Sequence, residues 1–259
     1  MTKRSTWALP YAIFLLLFVA LPLILILFYA FTDGSGNFTF GNFVKFFTDT
    51  DAIETFALSL EVAIENTALC ILLGYPAAWI LANKNLNRSA VTIVLFIMPM
   101  WINALMRTLA TAELFHMLGV QLGKGTLLVG MVYDYLPFMI YPIYNILNKM
   151  DKSYAEAAAD LGATPWQVFW KVQVPLSMPG IISGVSMVFL PAMTNYVVLD
   201  MLYNSTYIMG SLIGSYFAAY DWHGGSMIAL ILLAIICLFT LVTESYTEED
   251  SKGIGGAML

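Results

Sequence analysis

Residues 8–31 read ALPYAIFLLLFVALPLILILFYAF, without one charged side chain. At 1.5 Å per residue the run extends about 36 Å, longer than the hydrocarbon layer of a bilayer. A helix on a soluble core needs a polar face, and this one has none. Lys3 and Arg4 precede it, as in a secretory signal. The apolar run is too long for one, however, and no small-residue cleavage pattern precedes the polar loop, so it reads as a retained anchor.

Five further apolar stretches follow, at residues 57–82, 90–109, 127–147, 178–199 and 226–243. Across the 259 residues, 60% are apolar and 11% charged, with a mean hydropathy of +0.79. That is too little charge to cover a soluble protein of this size and too much apolar surface for a disordered one. The segments are also too long for the alternating strands of a membrane β-barrel. The expected fold is an all-α integral membrane protein with six transmembrane helices. One membrane domain covers residues 1–243, and the tail 244–259 is expected to be flexible.

Lys and Arg set the orientation. With the N-terminus in the cytoplasm, Lys3, Arg4, Lys84, Arg88, Lys149, Lys152, Lys171 and Lys252 lie inside. Only Lys45 and Lys124 lie outside, with Arg107 in the third span. Both termini are therefore expected in the cytoplasm. The outer half then holds ten acids against three bases, a field that attracts cations. Solvated loops would show the same bias.

Charges inside spans are costly unless they face protein or water. Glu61 and Glu65 share a face of the second span. Asp134, Tyr141, Asn145 and Asn148 form a polar stripe along the fourth, and Arg107 is the expected partner of one of these acids. Arg107, Glu61 and Glu65 are thus candidate ion-pair residues. The substrate-path candidates are Asp134 and Asp200, with Trp101, Tyr133, Tyr141 and Tyr196 as aromatic walls, since carboxylates and ring faces both hold ammonium groups. Gly180 and Gly184 form a G-x-x-x-G in the fifth span, a pattern that permits close helix approach. Pro137 and Pro191 are expected to kink the fourth and fifth spans.

Other chemistries find little support. Cys70 and Cys237 lie in apolar stretches and read as packing residues. His116 and His223 fit no metal pattern, and no nucleophile–base set points to an intramembrane enzyme. Residues 119–125, GVQLGKG, have one residue too few for a P-loop and no Ser or Thr after the lysine. No catalytic residue, metal site or cofactor is expected in this chain.

The inner loop 148–177 is patterned as structure. Ser153 and Glu156 read as a capping box, Ala157, Ala158 and Ala159 favour helix, and Gly162 stops it. Thr164 caps a second helix with Pro165 at its first position, and Val174-Pro175 is expected to end it. The spacing Glu156-Ala157-Ala158, three residues, Gly162, nine residues, Val172-Gln173-Val174-Pro175 resembles the EAA loop of ABC-importer permeases. Valines stand here where that family carries isoleucine and leucine.

The resemblance implies a type I ABC importer permease-like bundle whose cytoplasmic coupling helix docks on a separate ATPase. Glu156, Ala157, Ala158, Gly162 and Pro175 would couple to it. Further stretches, among them Leu73-Gly74-Tyr75-Pro76, Leu136-Pro137-Phe138-Met139 and Pro175-Leu176-Ser177-Met178-Pro179-Gly180, are similar to the permeases of spermidine/putrescine importers. The implied machine lies in the bacterial cytoplasmic membrane. It includes a second permease subunit, ATPase subunits carrying ATP and Mg, and an extracytoplasmic substrate-binding protein; nucleic acid has no part in it. Two alternatives stay open on the residues: the same machine for another small cationic solute, or an ion-coupled secondary transporter using Glu61, Glu65 and Asp134. No internal repeat favours the latter.

Overall fold

The computed structural model describes residues 3–83, 90–203 and 206–256; for 3–8, 90 and 244–256 it describes the backbone alone. Lys84 and Arg88, which entered the charge count, lie outside the described residues. Every described element is helical apart from a single bridge between Thr32 and Phe38.

We label twelve helices: α1 (Leu9–Ala30), α2 (Gly41–Thr48), α3 (Thr50–Ala82), α4 (Ala90–Ile97), α5 (Ala104–Met117), α6 (Lys124–Lys149), α7 (Ser153–Asp160), α8 (Pro165–Leu176), α9 (Met178–Thr194), α10 (Tyr196–Leu202), α11 (Met209–Ala218) and α12 (Trp222–Gly256). Four of them, α1, α3, α6 and the Trp222–Thr243 part of α12, are long and apolar enough to cross a membrane. The number rises to six if two bent pairs each count as one span.

The bent pairs depart from the expectation of six unbroken spans. The third stretch, expected as one span over 90–109, breaks after the short 3₁₀ turn Met98–Trp101 and turns by 93° into α5. Asn103 causes the restart. Its side chain accepts the N–H groups of Leu105 and Met106 at 3.0 and 3.4 Å, which is N-capping. The fifth stretch, expected over 178–199, stops at Thr194 and resumes as α10 beyond Asn195. Its other end bends by 63° against α8. The last helix runs on to Gly256, so the backbone expected to be flexible from residue 244 is helical that far.

The chain gathers into two compact units. The first comprises residues 1–57 and 209–237. In it the Asn42 side-chain amide donates to the carbonyls of Ala30 and Thr32, both at 3.0 Å, tying α2 to the end of α1. His223 at the start of α12 lies 3.0 Å from the Tyr29 carbonyl.

The second unit, residues 58–208 and 238–259, is built around α6. Helix α9 packs along α6 through the two glycines of the G-x-x-x-G. A Cβ on Gly184 would sit 2.7 Å from the Met139 sulfur, and one on Gly180 would sit 3.0 Å from the Pro142 carbonyl. The small-residue pattern therefore marks a real helix contact. Gly130 leaves the same kind of space for Leu202 of α10. Asn195, in the break before α10, donates to the Tyr135 hydroxyl at 2.8 Å.

Candidate functional site

The loop between α6 and α9 folds as a helical hairpin. Asp151 Oδ1 accepts the Ser153 N–H at 2.9 Å, and Lys152 occupies the cap position without a side-chain bond. This corrects the expected Ser153–Glu156 capping box. An aspartate two residues earlier satisfies the first donor through a local turn, leaving Ser153 inside the helix. Bonds to Ser153 hold the Asp151 carboxyl below its ordinary value of 3.8.

At the other end of α7, Gly162 adopts φ +86°. Its N–H reaches the Ala159 carbonyl at 2.9 Å, and the Ala163 N–H reaches the Ala158 carbonyl at 3.0 Å. That pair of bonds is a Schellman motif, which needs the left-handed residue that glycine supplies. The Thr164 cap forms as expected, and Gln167 completes it into a capping box: Gln167 N–H donates to the Thr164 hydroxyl at 3.4 Å, and the Thr164 N–H to Gln167 Oε1 at 2.9 Å.

Helix α8 does not end at Val174-Pro175. It continues to Leu176. Pro175 has no N–H for the Lys171 carbonyl, and the preceding turn, Phe169–Gln173, widens into a π-helix in which Val174 N–H bonds to the Phe169 carbonyl. Glu156, Ala157, Gly162 and Pro175 are exposed on the hairpin and Ala158 is half-buried. Large apolar side chains are exposed beside them: Leu161 at 89%, Trp166 at 69% and Trp170 at 52%. A hollow of about 620 Å³ opens between the hairpin and the ends of α3 and α6, lined by Trp79, Asn83, Asn148, Asp151, Glu156 and Gln173.

A second cluster lies at the break between α4 and α5. Arg107 and Asp134 are both buried, and Arg107 Nη2 lies 3.1 Å from Asp134 Oδ1. Arg107 Nη1 donates to the Pro99 carbonyl at 2.8 Å, and its guanidinium stands 5.9 Å from the centre of the Tyr133 ring. The Thr108 hydroxyl lies 3.2 Å from Asp134 Oδ2. One arginine thus closes the turn of the broken stretch and neutralises the carboxylate on α6. Trp101 and Tyr141 line a separate apolar hollow with Met98 and Met100. Tyr196 and Asp200 are exposed one helical turn apart on α10.

Of the path candidates, then, Asp134 and Tyr133 share the Arg107 cluster, Trp101 shares a hollow with Tyr141, and Tyr196 and Asp200 stand on a third element. Glu61 and Glu65 do not meet Arg107. Both contact Lys124 Nζ, at 2.7 and 3.1 Å, where α6 begins. The charge distribution places Lys124 on the outer side but gives it no partner. The signal that could have found it is the i, i+4 acid pair on α3, which asks for one long basic side chain facing it.

The family model for the binding-protein-dependent transport system inner membrane component matches residues 2–247. This chain belongs to that family. The inner membrane component is 34% identical over 253 residues to the spermidine/putrescine transport system permease protein PotB of Escherichia coli (strain K12), covering 88% of this chain and 92% of the relative. It is 31% identical to the protein of the same name from Haemophilus influenzae (strain ATCC 51907 / DSM 11121 / KW20 / Rd), covering 88% of each chain. Its fold matches a chain in the crystal structure of a bacterial alginate ABC transporter bound to its pentasaccharide-loaded periplasmic protein, with a TM-score of 0.70 at 14% identity, covering 96% of this chain and 95% of that one. The inner membrane component therefore has the ABC-importer permease fold, and it works as a membrane subunit of a binding-protein-dependent system.

Proposed function

We propose that this inner membrane component forms part of the path of an ATP-driven polyamine importer. A binding protein delivers spermidine or putrescine at the outer face, and a second permease subunit completes the path. The hairpin of α7 and α8 docks on a separate ATPase subunit, which carries ATP and Mg. The chain itself performs no catalysis. Both of its termini and the hairpin lie in the cytoplasm, in the orientation that the Lys and Arg distribution favours.

One observation carries the assignment of the hairpin: Leu161, Trp166 and Trp170 stand exposed on a loop that the charge distribution puts in water. Large apolar side chains clustered on an exposed surface mark a protein contact. The polyamine cargo rests on the similarity to the two spermidine/putrescine permeases. The ion-coupled alternative is disfavoured, because each acid it would use already faces a cation of the chain, Glu61 and Glu65 at Lys124 and Asp134 at Arg107. The test is ATP hydrolysis by the complex reconstituted in vesicles with its binding protein. Spermidine and putrescine should stimulate it, and thiamine and ferric iron should not. Stimulation by another cation alone would overturn the cargo; uptake driven by an ion gradient without ATP would overturn the machine.

A further inference from the structure

The hairpin is joined covalently to α6 and α9, and two side-chain hydrogen bonds tie it to α3 as well. Trp79 Nε1 donates to Gln173 Oε1 at 2.8 Å. One turn back along α3, the buried Tyr75 hydroxyl lies 2.9 Å from the Ser177 hydroxyl. Between the two bonds sits the Phe169 ring, edge-on to Tyr75 at 5.6 Å and to Trp79 at 6.0 Å. Trp166 stacks on the same ring at 5.9 Å, and Trp170 meets it edge-on at 5.2 Å. Aromatic contacts of this kind add to burial and fix relative orientation.

The placement of these bonds is informative. Gln173 and Phe169 bound the π-helical turn of α8, and Ser177 is the residue at which α8 bends by 63° into α9. Both points at which the hairpin could flex against the bundle are therefore fastened to α3. π-Helical turns are local irregularities that recur at functional positions. Further back along α3 the helix is fastened as well, through Glu61 and Glu65 to Lys124 on α6. From Trp79 to Glu61 is about 27 Å of helix at 1.5 Å per residue, so α3 is a rod gripped at two levels.

We infer that Trp79 and Gln173, supported by Tyr75, Phe169 and Ser177, form a latch that carries displacement of the hairpin into α3, making Trp79 and Gln173 positioning residues for coupling. The inference rests on the proposed docking role of the hairpin. In its absence, movement of the hairpin would be absorbed in the π-turn and at Ser177 instead of moving α3.

The experiment measures uptake per ATP hydrolysed in vesicles holding the complete transporter, together with co-purification of the ATPase. Trp79→Phe and Gln173→Leu should each lower uptake per ATP roughly five-fold, the loss of one neutral hydrogen bond, while the ATPase still co-purifies. The double variant should be no worse than either single one, since both remove the same bond. Gln173→Glu, which keeps the acceptor, should couple normally. Unchanged coupling in the single variants, independent losses that multiply in the double variant, or loss of ATPase co-purification would each overturn the latch. If Gln173→Leu fails to reach the membrane, Trp79→Phe and Gln173→Glu still decide, and uncoupling by the second but not the first refutes it. Failure of the wild-type complex to bind the ATPase would strike the docking role instead.

Discussion

Gly162 offers a clean perturbation because its surroundings are empty. A Cβ added there meets nothing within 4 Å, so a substitution is penalised by backbone conformation and not by collision. Holding an L-residue at φ +86° costs about 1–2 kcal/mol, and a β-branched side chain pays at the upper end or beyond. Against this stand the two Schellman hydrogen bonds to Ala158 and Ala159, worth about 1 kcal/mol each. The two sides nearly balance, so Gly162→Val should leave the native turn in only about half of the molecules, whereas Gly162→Asn, a residue that tolerates the left-handed region, should retain it. The expected order of uptake is Gly, Asn, Ala, Val, with valine reduced roughly two-fold or more, as near-equal populations of the native and altered turns require. Uptake into vesicles, normalised to the amount of protein in the membrane, tests it alongside ATPase co-purification. Wild-type uptake by Gly162→Val at wild-type levels would refute the reasoning. A series ordered by side-chain volume, with asparagine worse than alanine, would refute it too.

Removing one member of the buried Arg107–Asp134 pair should destabilise the protein by about 3–5 kcal/mol, because the other charge is left without its counter-ion; Asp134→Asn with Arg107→Gln should recover most of the melting temperature in detergent, and a double variant no better than the single ones would contradict the pairing. Gly130→Val should collide with Leu202 and cost about 1–3 kcal/mol, with Leu202→Ala restoring part of the loss in the same melting assay. Asp151 has its pKa lowered in the folded hairpin, so the stabilisation it gives is present above the ordinary carboxylate value of 3.8 and is lost as the pH falls through the lowered one. Wild-type ATPase co-purification should therefore not change between pH 7 and pH 5, and Asp151→Asn should differ from wild type there and converge with it in strong acid.

The long apolar helices were legible because a bilayer imposes a single simple demand on composition, and α1, α3, α6 and α12 each meet it. The hairpin was legible for another reason: Gly162, Thr164 and Pro165 are local signals whose structural consequence needs no distant partner. Ser153 misled because Asp151 competes for the same donor, and capping rules applied to one residue do not see a rival two positions away. The break at Asn103 was hidden by hydropathy averaging. An asparagine amid apolar residues barely lowers the mean of a 20-residue stretch, yet its side chain restarts a helix. The partner of Glu61 and Glu65 was out of reach of local reasoning, since Lys124 is far away in sequence and the pairing depends on how α3 and α6 pack.

The Arg107–Asp134 pair also sets a condition on how the chain is made. Arg107 leaves the ribosome 27 residues ahead of Asp134, an interval of about 1–5 s at 5–20 residues per second. During that time the apolar stretch containing Arg107 is offered for insertion with an unneutralised guanidinium, which costs about 2.5–3.5 kcal/mol near mid-membrane. Only the arrival of α6 supplies the carboxylate. The stretch around Arg107 thus depends for its final seat on a helix not yet synthesised, and it must wait at the insertion machinery or near the lipid headgroups until that helix follows. Moving the two charges further apart in sequence, by lengthening the loop between α5 and α6, would prolong that wait without altering a contact in the finished protein.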